Sequence, residues 1–303
     1  MGRPVLQAQE ELTLDQTVIL DRFAKGERAL PEEPLVVIES SEKQTPLDLA
    51  ELWHSRELLY LLAWRDVKVR YKQTALGVAW VILQPLLVTI IFTIFLGALV
   101  RVPSGGVPYA LLVYIGLLPW TFFSSAVTIG GLSVVNNSQL ITKVYFPRMV
   151  LPLASIVGRL IDLAIAVSIL VLLMAYYWVA PTSTLIMLPF FIVLLILFSS
   201  AIVLITSAMQ VKYRDIGFAL PVLIQLWMYV SPVLYSSSIV PQRWARLYTL
   251  NPMVGIVEGF RTSILGGHFD WFAICISVAA TLFLLIYAMY EFRRVEENFA
   301  DII

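Results

Sequence analysis

Apolar and polar positions along this chain alternate on the scale of whole membrane crossings. Between Lys72 and Arg101 no ionisable side chain occurs, and residues 75–99 form one continuous apolar run. A helix needs roughly 20 such residues to cross a hydrocarbon layer of about 30 Å, so this run predicts a span. Just ahead of it, Leu58, Leu59, Leu62, Ala63 and Val67 recur at helical spacing, while Arg65, Lys68, Arg70 and Lys72 supply a cationic flank. That is the pattern of an amphipathic helix lying in the membrane interface. Further apolar runs cover 109–135, 149–179, 185–210, 216–235 and 270–290. The expected fold class is an all-α polytopic membrane protein, with six transmembrane helices and an amino-terminal amphipathic interface helix over 51–74.

The punctuation between the runs refines this picture. Pro119 and Trp120 interrupt the second run and predict a kink or a split there. Residues 240–250 are amphipathic, Asn251-Pro252-Met253 breaks the chain, and 254–265 predicts a second short helix ended by Gly266 and Gly267. Neither piece is long enough to cross, so 236–268 is expected to fold back as a re-entrant outer helical hairpin. Glu258 and Arg261 are three apart on its second helix and can pair there, as Arg159 and Asp162 can on the third span.

Composition changes the reading only by exclusion. The chain is 59% hydrophobic and 14% charged with a formal net charge of zero, which suits several spans and offers no field to recruit nucleic acid. Cys275 is the one cysteine, so no internal disulfide or cysteine-cluster metal site exists. His54 and His268 fall on opposite predicted sides, and neither a Gly-rich phosphate loop nor a nucleophile elbow is present. No catalytic or metal residue is therefore assigned. Residues 1–50 read as a polar extension without a cleavable signal, and 295–303 as a tail. Arg65, Lys68, Arg70, Lys72, Lys143, Arg148, Lys212, Arg214, Arg293 and Arg294 all fall at one set of span ends. By the positive-inside rule these ends, and both termini, are cytoplasmic.

Two polar-aromatic stripes remain. Trp227, Ser231 and Tyr235 are spaced by four on the fifth span, and Trp80, Gln84, Val88, Ile91 and Phe95 form a similar face on the first. Residue types alone are compatible with ordinary bundle packing or with a wall that contacts sugar rings. Three functional classes fit the pattern: an exporter permease, a membrane-embedded transferase acting on a lipid-linked glycan, and an ion-coupled secondary transporter. The transferase would rest on Glu258, His268 and Asp270, and the secondary transporter on Arg159 and Asp162.

The run 66–80, continued by Gln84-Pro85-Leu86, resembles the entry to the first span of permeases from bacterial polysaccharide ABC exporters. The likeness continues, in the family's order, through Lys143-Val144-Tyr145-Phe146-Pro147-Arg148, Lys212-Tyr213-Arg214-Asp215, Leu250-Asn251-Pro252-Met253 and Glu258-Gly259-Phe260-Arg261. It implies that 75–294 is a permease domain of the inner membrane that exports an O-antigen, capsule or teichoic acid polymer on a lipid carrier. It further implies a homodimer with two cytoplasmic ATPase subunits, which hold the ATP and Mg that this chain does not bind. On this resemblance 136–148 is the coupling loop, with Lys143, Val144, Tyr145, Phe146 and Arg148 facing the ATPase, and the interface helix with Arg65, Lys68 and Arg70 is its second contact. Trp80, Gln84, Phe95, Trp227, Ser231 and Tyr235 become channel wall, and Asn251, Glu258 and Arg261 belong to the gate.

Overall fold

The computed structural model describes residues 53–72, 79–103, 105–144 and 146–296. The amino-terminal extension, Tyr145 and the tail beyond 296 lie outside the described residues. Every regular element among the described residues is helical. In chain order they are α1 (Arg56–Lys72), α2 (Ala79–Phe92, prolonged by a π-helical turn Thr93–Leu99), α3 (Tyr109–Gly131), α4 (Ser133–Asn136) and α5 (Ser138–Lys143). Then follow α6 (Val150–Tyr176), α7 (Leu188–Lys212, led in by a 3-10 turn Ser183–Met187) and α8 (Ile216–Tyr229). A 3-10 turn Ser237–Ile239 precedes α9 (Gln242–Tyr248), α10 (Pro252–Leu265) and α11 (Trp271–Glu296).

Among the described residues five helical stretches are long and apolar enough to cross a membrane: Ala79–Leu99, Tyr109–Gly131, Val150–Tyr176, Ser183–Lys212 and Trp271–Glu296. The run 216–235 behaves differently, since its helix ends at Tyr229 after 14 residues, about 21 Å at 1.5 Å per residue. Pro232 is the reason. It lacks an N–H for the helical ladder and pushes Ser231 out of the helical region. Pro119 has no such effect, because α3 passes through it as one helix with neighbours packed on almost every side.

α3 is the axis of the bundle. α8 and the turns after it climb its length in the opposite direction: Leu220 lies against Gly131, Trp227 against Phe123, and the Val233 carbonyl against Gly116. At the far end the Tyr109 hydroxyl donates to the Leu234 carbonyl at 2.6 Å. On another side, α7 and α11 run in the same direction. Ala201, Leu204, Ala208 and Val211 share a cluster with Ala288 and Phe292 at one end, and Phe191 stacks on Phe269 at the other, centroids 5.9 Å apart. The chain between Lys212 and Trp271 therefore returns from one end of the bundle to the other.

In lipid, apolar burial does not drive helices together, and close fit has to do so. Small residues mark the tight places. A methyl group at Gly259 of α10 would sit 2.0 Å from the Phe191 ring, and one at Gly255 would sit 2.2 Å from the Ser277 hydroxyl. The amphipathic helix α1 follows the same logic on the protein itself: Leu62, Ala63 and Val67 are buried, and the first two cluster with Val150, Leu151 and Ala154 of α6. Leu58 and Leu59 are half-buried against that cluster, whereas Tyr60, Leu61, Trp64 and Val69 stay exposed.

Candidate functional site

The break at Asn251-Pro252 is the tip of a helical hairpin. Pro252 opens α10 where its missing N–H is unneeded, and Gly266 at φ 85° closes it. The far end of α10 lies at the start of α7, where Thr184 donates to the Thr262 carbonyl at 3.0 Å. The tip lies much deeper, about halfway along α3 and α7. There the Trp227 indole stands edge-on to Phe123 and Phe198, at 5.3 and 5.9 Å between centroids.

Asn251 fastens the tip with every polar atom it has. Its Oδ1 accepts from Trp227 Nε1 at 3.0 Å and from the Met253 N–H at 3.1 Å, the second being the amino-terminal cap of α10. Its Nδ2 donates to Ser231 Oγ at 3.0 Å and to the Val230 carbonyl at 3.4 Å. All of these residues surround the point where α8 stops. The hairpin thus caps an interrupted helix, and the two breaks satisfy one another's backbone, as non-helical chain at this depth requires.

A second clamp sits nearer the far end of α10. Arg261 is 4% exposed and donates through Nη1 to Glu258 Oε1 at 3.0 Å and to the Tyr235 carbonyl at 2.8 Å. Its Nη2 donates to the Val233 carbonyl at 2.8 Å. Glu258 Oε1 also accepts from the Ser237 N–H at 2.9 Å. The pair expected from the sequence is formed, and it binds the chain leaving α8 to the face of α10. Tyr248 of α9 donates to the Tyr235 hydroxyl at 3.2 Å, which itself donates to the Tyr229 carbonyl at 3.0 Å.

The two stripes fare differently. On α2, Trp80 and Phe95 are 52% and 59% exposed. Gln84 is exposed as well, and borders a mainly apolar cavity of ≈ 160 Å³ whose polar lining is shared with Thr121, Ser125, Arg159 and Asp162. The stripe expected along the fifth span does not exist as one helical face, because the helix ends before Ser231 and Tyr235. Ser231 is fully buried, and Trp227 and Ser231 both hold Asn251.

At the opposite end the short helix of the 136–148 loop ends at Lys143, before Pro147. Lys143 and Val144 are exposed. Phe146 turns inward onto Leu62, Val150 and Ala154, and Arg148 binds Glu296, its backbone N–H donating to the carboxylate at 2.9 Å. Of the basic flank of α1, Arg65 donates to Asp66 at 2.8 Å and to Asn137 at 3.0 Å, and Lys68 lies over the Trp64 ring at 5.6 Å. Arg70 pairs with Asp162. Asp162 also accepts from Arg159 at 3.0 Å and from the Tyr71 hydroxyl, so the interface helix is bolted to α6 through one carboxylate.

Sequence reasoning missed that junction, since Arg70 and Asp162 are far apart along the chain and both had adequate local explanations. It also passed over Pro232, whose presence signals the end of α8. Among the described residues no group of three or more His, Cys, Asp or Glu side chains is arranged to hold a metal ion.

Comparison with known proteins agrees with the geometry. The chain is 30% identical over 256 residues to the O-antigen export system permease protein RfbA of Myxococcus xanthus, covering 83% of this chain and 97% of that protein. It is 28% identical over 248 residues to a protein of the same name from Klebsiella pneumoniae, with 82% and 95% covered. To the polysialic acid transport protein KpsM of Escherichia coli it is 24% identical over 217 residues, with 70% and 81% covered. Residues 57–265 match the family described as ABC-2 type transporter, and with this much of the chain covered by one family the protein belongs to the ABC-2 type transporters.

Proposed function

We propose that this chain is the permease subunit of an ATP-driven exporter that moves a lipid-linked polysaccharide across the bacterial inner membrane. The observation that carries the reading is the hairpin α9–α10, which reaches the middle of the bundle and is locked there by Asn251 onto the broken end of α8. A plug of protein held by a few hydrogen bonds beside an interrupted helix is a natural gate. The relatives named for O-antigen export and polysialic acid transport supply the substrate class.

In this reading the chain crosses six times, with α8 and the turns after it completing the fifth passage, and both termini are cytoplasmic. Two copies pair so that the exposed faces of α2 and α8 enclose the path. Trp80, Gln84 and Phe95 line it, and Trp227, Ser231 and Tyr235 join them once the tip lifts. Two ATPase subunits, holding ATP and Mg, dock on Lys143 and Val144 and push on α6 through Phe146 and on α1 through Arg65. Tyr145 belongs to the same contact, and Arg148 braces it from behind.

The test is to copurify the chain with an ABC ATPase subunit and measure polymer-stimulated ATP hydrolysis and export. Val144→Asp, at an exposed apolar position, should abolish copurification without impairing membrane insertion. Robust ATP hydrolysis by the permease chain alone would overturn the reading.

A further inference from the structure

The hairpin does more than close against α8: its opposite side encloses a cavity of ≈ 210 Å³ between α9, α10 and the start of α11. Sites for drug-sized ligands run from about 300 to 1,000 Å³, so this one has room for a single small ring. Its floor is apolar, with Val254, Ile274 and the ring of Phe269. Glu258, His268, Asp270 and Tyr248 stand around it, the first three being the group that the sequence offered as a transferase constellation.

The polar groups are biased towards acceptance. Glu258 commits Oε1 to Arg261 and to the Ser237 N–H, leaving Oε2 free of those bonds. Asp270 uses Oδ1 to cap α11 through the Ala273 N–H at 3.1 Å, leaving Oδ2. No lysine or arginine lines the cavity, and the Arg261 guanidinium is spent on Glu258 and on the Tyr235 and Val233 carbonyls, so a phosphate or carboxylate brought here would meet the Asp270 carboxylate with no arginine or lysine in the lining to offset it. Hydroxyl donors with an apolar ring face are matched on both counts: carboxylate oxygens accept from the hydroxyls, and the aromatic and aliphatic floor takes the C–H face.

We infer that this cavity is a binding subsite for one uncharged sugar residue of the exported glycan. The inference rests on the export reading and narrows it, because it assigns the outer gate a preference for neutral over acidic sugars. A sugar seated here bridges α9, α10 and α11, and so bears on whether the hairpin stays down.

The test uses the permease–ATPase complex in lipid nanodiscs and saturation-transfer difference NMR with neutral methyl hexosides and with methyl glucuronide as probes. Neutral hexosides should show transfer, and the glucuronide should bind about tenfold more weakly, as expected for like charges at close range in a partly solvated site. Asp270→Asn keeps the helix cap and removes the charge, so it should erase that discrimination. Ala245→Trp, which fills the cavity from α9, should abolish transfer from the hexosides. Absence of hexoside transfer, equal binding of the glucuronide, or an unchanged signal in both variants would overturn the subsite. Polymer-stimulated ATP hydrolysis in the same sample keeps the two readings apart: stimulation without hexoside binding sinks the subsite alone, and hexoside binding without stimulation sinks the export reading.

Discussion

Replacing Asn251 by alanine strikes the single side chain that joins the hairpin tip to α8. The substitution removes the cap of α10, worth about 1 kcal/mol, and leaves the Trp227 indole N–H without its acceptor among Phe123 and Phe198, which costs about 1–3 kcal/mol. The donors to Ser231 and Val230 are lost as well. A combined effect of about 3 kcal/mol raises the population of the lifted tip by about a hundredfold. Ser231 is fully buried beneath the tip, so Ser231→Cys is a suitable reporter once the exposed Cys275 has been replaced by serine. A membrane-impermeant thiol reagent should label position 231 about a hundredfold faster in the Asn251→Ala background. Asn251→Asp, which keeps the acceptor and the cap, should fall between the two. If the Asn251→Ala rate stays within about threefold of the parent, a difference of under 1 kcal/mol, the tip is held by something other than this amide.

Three further outcomes are expected. Arg261→Met should lower thermal stability sharply, by about 3–5 kcal/mol, because it leaves Glu258 without its charge partner; the double variant Glu258→Gln/Arg261→Met should recover part of this in a double-mutant cycle, and equal losses would refute the clamp. Gly259→Ala places a methyl group into the Phe191 ring and should cost about 1–3 kcal/mol by overpacking, with rescue by Phe191→Leu read from melting temperature. Burial and the hydrogen bond to Asp162 push the Tyr71 hydroxyl up to about 12 from its ordinary 10. Because the folded-state value lies above the unfolded one, this contact stabilises fully below pH 10 and is lost as pH rises through about 12. Ultraviolet titration should show one late tyrosinate that is absent in Tyr71→Phe, and its ionisation near pH 10 would contradict the bolt between α1 and α6.

Local physics made much of this protein readable from its residues. The spans follow from apolar run length, the interface helix from the period of Leu58, Leu62 and Ala63, and the hairpin break from Asn251-Pro252 and Gly266-Gly267, because each depends only on neighbours within a few turns. The short fifth helix was written there as well, in Pro232. What no local rule supplies is which polar groups meet. Arg70 reaches Asp162 across 92 positions, and Trp227 and Asn251 satisfy each other across 24. Phe146 turns into the protein because Leu62 and Ala154 arrive from two other helices to receive it. Inside an apolar bundle every donor must find an acceptor without help from water, and there are more candidates along the chain than the spacing of residues can rank. Packing made that choice, turning an expected helical stripe into the seat of the Asn251 side chain.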